Sequence, residues 1–191
     1  MSDRLYLSCW VRGFKDSNML RHFGKLVELF PFSRLAQRGP VLRVYALEYV
    51  EPPLLERPFD LDASAEDMIA AGRPFVQPDC SIEIDGFWDL WQYDTEWKLR
   101  PAAVTLTVFG PKFERDNDDH LRIDFGLDGK FLPNPRIEGS LRMGQSNLRS
   151  LLHLTGELER ELPLERRLVW SESGASFAEI LAQAVAEFSA N

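Results

Sequence analysis

The chain has 191 residues, 45% of them hydrophobic and 27% charged, with 30 acids against 22 bases for a net charge of −8. That composition excludes a disordered, collagen-like or coiled-coil chain. At this length roughly 70% of the unfolded surface can be buried, enough for a core without disulfides or metals. The acidic balance disfavours phosphate backbones, so no nucleic-acid partner is expected.

In chain order, Arg4–Arg12 alternates with period two and predicts a strand. Gly13 breaks it, and Asp16 or Ser17 is placed to cap a helix carrying Met19, Leu20, Phe23, Leu26, Val27 and Phe30 at helical spacing, stopped by Pro31. Residues 41–50 read as a second strand. Five prolines between Pro52 and Pro78 deny 51–79 any long element, except a short helix started by the capping box Ser64-Ala-Glu-Asp67, with Gly72 at its end. Cys80–Asp85 alternates cleanly, Gly86 punctuates, and Phe87–Tyr93 is expected to pair back as a hairpin. Val104–Phe109 and Leu121–Leu127 are further strands, the latter closed by Asp128-Gly129. A helix over 146–162 places Leu148, Leu151, Leu152, Thr155 and Leu158 on one stripe. A short strand at 166–171 follows, and then a last helix carrying Phe177, Ile180, Leu181, Ala184 and Phe188.

Two strand–helix–strand units, 4–50 and 121–171, thus bracket a middle segment. The expected fold is α+β: a mainly antiparallel sheet with helices on one face, ferredoxin-like in plan, and a single domain over 1–191. Its core units are 1–50 and 101–191, with 51–100 as an inserted aromatic and acidic segment. That segment carries a net −8, whereas residues 1–50 carry +4.

Cys9 and Cys80 each alternate with aliphatic residues and read as small buried hydrophobes, unpaired. No apolar run approaches the roughly 20 residues of a membrane span. There is no basic start followed by an apolar stretch, so a cytoplasmic location is expected and no membrane partner.

Two places carry chemistry. In Gly86–Trp97, the rings of Trp88, Trp91, Tyr93 and Trp97 are interleaved with Asp89 and Asp94. Large apolar rings with a polar handle suit recognition of a protein or small molecule, and acids among them favour a cationic partner. The competing reading has these rings covering the bare sheet face, where Tyr6, Ser8, Trp10, Thr105 and Thr107 would point. The second place is Asp116-Asn-Asp-Asp-His120, where Asp116, Asp118, Asp119 and His120 offer oxygen and imidazole ligands to a metal, against the plainer reading of a solvated turn. His22 sits at the edge of the first helix's stripe, and His153 on a solvated face with Arg149 and Glu157. No nucleophile elbow, phosphate loop or H-E-x-x-H occurs. The leading expectation is therefore a non-catalytic binding or regulatory protein without cofactor. The alternatives are a metal-assisted hydrolase at Asp116–His120 and a homodimer joined through the aromatic segment.

Overall fold

In the computed structural model, residues 3–174 and 176–190 are described, with side chains up to 187. Seven strands form one antiparallel sheet: β1 (Arg4–Val11), β2 (Val41–Ala46), β3 (Leu55–Pro58), β4 (Cys80–Tyr93), β5 (Trp97–Phe109), β6 (Leu121–Leu127) and β7 (Leu164–Ser171). The spatial order is β3-β2-β4-β5-β6-β1-β7. Four helices are present among the described residues: α1 (Asp16–Leu29), α2 (Ala65–Gly72), α3 (Ser140–Glu161) and α4 (Phe177–Ala190). The fold is α+β, with a sheet wider than the four strands of a ferredoxin-like plan.

The pairings set strand directions. β1 and β2 run parallel to each other, as do β3 and β4, and β6 and β7, and a helix (α1, α2 and α3 respectively) joins each pair. Strict alternation then sorts the side chains. Leu42, Ile84, Leu106, Ile123 and Leu7 form one row across five strands, and Val44, Ile82, Val108, Leu121 and Cys9 the next. All ten are buried, in one core with Met19, Phe23, Leu26 and Val27 of α1 and Leu151, Leu154 and Leu158 of α3. Both cysteines are unpaired and buried, and burial pushes the Cys9 thiol up to about 12.

Several expectations are corrected. Segment 51–100 is part of the body of the fold: it supplies the edge strand β3, helix α2 over the apolar rows, and β4, which runs unbroken for 14 residues in the middle of the sheet and pairs with β5 from Ser81↔Phe109 to Tyr93↔Trp97. Gly86 is no terminator. A Cβ there would come within 2.6 Å of the Phe32 ring, so glycine lets that ring seat on the strand. Pro101 sits within β5, tolerated where β5 outruns its pairing with β6 at Thr105–Val108. Helix α1 starts after Lys15, whose N–H is accepted by Asn18 Oδ1.

Helix α3 begins at Ser140, six residues earlier than expected, because its first buried positions are Ser140, Gly144 and Asn147 rather than aliphatics. Before it, Gly139 takes φ +78° against the Trp97 indole, a conformation and a closeness that suit glycine. The stripe also shifts: Leu154 is buried and Leu152 is 60% exposed. On α4 Phe177 joins the core, while the expected position of the Phe188 ring lies outside the described side chains.

Truncating Phe23 or Leu151 to Ala should cost about 2–5 kcal/mol, since each would leave a cavity. Leu152→Ala and His153→Ala should stay within about 0.5 kcal/mol. Denaturant midpoints in the reverse order would contradict the helix phases.

Candidate functional site

The helices leave the opposite face of the sheet open, and its rows are polar. One row runs Glu56, Arg43, Glu83, Thr107, Arg122, Ser8. The next runs Val41, Asp85, Thr105, Asp124, Tyr6, Trp170. Most charges on this face are already paired. Arg43 bonds Glu56 at 2.7 Å and also Asp85, which accepts from Thr105 at 2.7 Å, and Arg4 pairs with Asp124. Aromatic rings close one end: Tyr6 stacks on Trp170 at 4.6 Å, and Arg166 lies 4.4 Å over Trp10.

The 110–120 loop anchors to this face through Asp119. Its fully buried carboxylate accepts two hydrogen bonds from Arg122, at 2.8 and 2.9 Å, and one from Ser8 Oγ at 2.6 Å. Arg115 approaches it at 3.9 Å. The Ser8 hydroxyl in turn accepts from the Trp170 indole at 3.0 Å. Both guanidinium groups lie over the Phe109 ring, at 5.3 and 5.0 Å.

Between Tyr6, Tyr49, Glu83, Phe109, Arg122 and Asp124 lies an open concavity of about 320 Å³. Glu83 is its distinctive group. Burial, helped by Asp85, raises its pKa above the usual carboxylate range. Among the described residues no cation lies within 4.0 Å of it; Thr107 Oγ1 donates at 3.5 Å. Tyr49 roofs the concavity. The residue is 43% exposed, yet its hydroxyl is turned toward Ser81 (3.4 Å), and burial and Glu83 push its pKa up.

The expected aromatic site is divided by the structure. Trp88 points to the helix side and packs on Phe30, Phe125 and Phe131, so it belongs to the core. Asp89 is engaged by Ser33 Oγ and the Arg34 N–H, fixing the turn after α1. Trp91, Tyr93 and Trp97 do come together, lining a concavity of about 250 Å³ at the hairpin tip with Lys130 and Leu127. Asn147 of α3 pairs with the Trp91 backbone through both amide atoms, at 2.9 Å each, and so covers the edge of β4 beyond β2. Asp94 does not line that concavity; it lies 3.6 Å from Arg100.

The four residues of the alternative metal reading are not brought together. Asp119 is consumed by Arg122 and Ser8, while His120 stacks on Phe14 at 4.2 Å and accepts the Val11 N–H at Nδ1. Asp116 and Asp118 are exposed. Among the described residues no group of three His, Cys, Asp or Glu side chains is placed to hold a metal ion. No helix is long and apolar enough to cross a membrane.

Sequence reasoning anticipated the strand residues of this face but missed Glu83 and Tyr49. Alternation alone placed Glu83 beside Asp85 on the polar side of its strand, and that was the available signal. No family model, curated protein or solved structure matches the chain.

Two outcomes follow. Asp119→Ala should cost about 3–5 kcal/mol, because it removes both hydrogen bonds of the half-buried Arg122 guanidinium and the acceptor of the buried Ser8 hydroxyl; urea titration measures it, and a change under 1 kcal/mol would refute the anchoring role. Glu83 has a folded pKa above its unfolded one. Its contribution to stability is therefore full below the ordinary value near 4.3 and is lost as pH rises through the raised one. Glu83→Gln should accordingly be more stable than the parent at pH 7, with the advantage vanishing below about pH 4.

Proposed function

We propose that the chain is a non-catalytic binding protein that receives an amine or guanidinium group in the concavity over Glu83. The observation that carries this reading is a largely buried carboxylate, without a cation in contact among the described residues, facing an opening walled by Tyr6, Tyr49 and Phe109. A cation entering there gains the charge of Glu83 and the faces of the rings together.

Buried, unpaired cysteines suit a reducing cytoplasm. With the edge strand β3 and the β4–β5 hairpin set aside, the order β2-β6-β1-β7 matches a ferredoxin-like sheet, which supports reading the fold as that plan widened by a hairpin and an edge strand. A second reading, self-association at the hairpin tip, is favoured by the exposed Tyr93 and Leu127 beside Trp97.

Thermal unfolding at low salt with spermidine, agmatine and tyramine tests the main reading. At about a hundredfold excess over Kd, a bound amine should add about 2.7 kcal/mol of stability, and Glu83→Gln should abolish the gain. No gain with any of the three, or a gain that survives the substitution, would overturn it.

A further inference from the structure

On the opposite side of the molecule, α1, α2 and the end of α3 enclose a groove of about 820 Å³, within the roughly 300–1,000 Å³ range of small-molecule sites. Its apolar wall includes Leu20, Ile69, Leu162 and Pro163. Gly24 opens the wall at mid-helix, where a Cβ would meet only Ile69, at 3.5 Å. At the rim Lys25 already bridges Glu28 (3.3 Å) and Glu161 (3.4 Å), so these charges answer one another.

His22 forms part of the same wall. It is 4% exposed, and its Nε2 has no hydrogen-bond partner among the described residues. A buried polar nitrogen left unpaired is costly, and a partner that completes it recovers that cost. Burial and the neighbouring Arg21 lower the His22 pKa, so the neutral ring prevails at pH 7. A neutral imidazole donates at one nitrogen and accepts at the other, and a hydroxyl can pair with either.

We propose that this groove binds an uncharged molecule with an apolar body and one hydroxyl group, the hydroxyl completing the hydrogen bond of His22 Nε2. The apolar wall favours an uncharged body, and His22 selects a polar atom at one point. This site is independent of the Glu83 concavity, and neither stands on the other.

The test compares 2-naphthol with 2-methylnaphthalene, nearly equal in shape, by NMR titration of the whole chain. 2-Naphthol should shift the Gly24 and Ile69 amides saturably and bind at least about tenfold more tightly, equivalent to about 1.4 kcal/mol. The His22 imidazole nitrogens should move with the naphthol and not with the hydrocarbon. His22→Phe should erase the preference while leaving hydrocarbon binding. Gly24→Leu, a better helix former than glycine, should fill the groove and exclude both. Absence of saturable shifts at the groove, a preference unchanged in His22→Phe, or binding that persists in Gly24→Leu would overturn the proposal. Should His22→Phe not fold, the imidazole shifts in the parent chain decide the role of His22.

Discussion

Each strand of the sheet must satisfy two surroundings at once, and the helices determine which side gets which. Three strand–helix–strand crossings place α1, α2 and α3 over the apolar rows, so the even-numbered residues of β4 and β5 are packed from Ile82 to Leu90 and from Ala102 to Val108. The odd-numbered ones then have no helix to meet. A sheet in this position must carry polar groups or expose apolar area. Here it carries charges that are mostly paired across strands, with Asp119 clamping the one long loop that reaches the face.

The β4–β5 hairpin gives this constraint its extent. Pairing along nearly its whole length, it joins β2 to β6 and turns what would be a narrow sheet into seven strands. Its outer half outruns both neighbours. There Asn147, Gly139 and Glu138 of the α3 region take over, pairing with the Trp91 backbone and accepting from the Trp97 indole at 2.7 Å. The wide polar face and the helix-side groove are two products of one asymmetry, and they suit different chemistries: a buried carboxylate among rings on one side, a lone imidazole nitrogen in an apolar wall on the other.

Much of the frame was legible in the residues. The alternation of Leu5, Leu7, Cys9 and Val11, the stripe of Met19, Phe23, Leu26 and Val27, and the Ser64–Asp67 box all stand as read, the last with Asp67 N–H donating to Ser64 Oγ at 3.1 Å. What escaped was tertiary. Gly86 and Pro101 look like strand ends, and only the Phe32 ring and the uneven lengths of β5 and β6 show why each is kept inside a strand. Asn147 looks like a break in a leucine stripe until the open edge of β4 appears beside it. Asp119 and His120, adjacent in an acidic run, are drawn apart by Arg122 and Phe14, partners that local spacing cannot reveal. The same holds for Glu83, whose significance depends on Tyr49 from the turn after β2 and Tyr6 from β1 arriving beside it.

The facing of the sheet can be read directly at two adjacent alanines in β5, because Ala102 is 3% exposed on the helix side while Ala103 is exposed on the open face. Introducing Ala102→Cys and Ala103→Cys singly, with Cys9 and Cys80 protected by burial, alanine-to-thiol being a small change, allows native-state alkylation by a polar reagent to compare them. The cysteine at 103 should react as fast as one in an unfolded control, and the cysteine at 102 only through opening of the fold. Equal rates at both positions, or protection at 103, would mean that the polar face is covered and that the asymmetry between the two faces of the sheet does not exist.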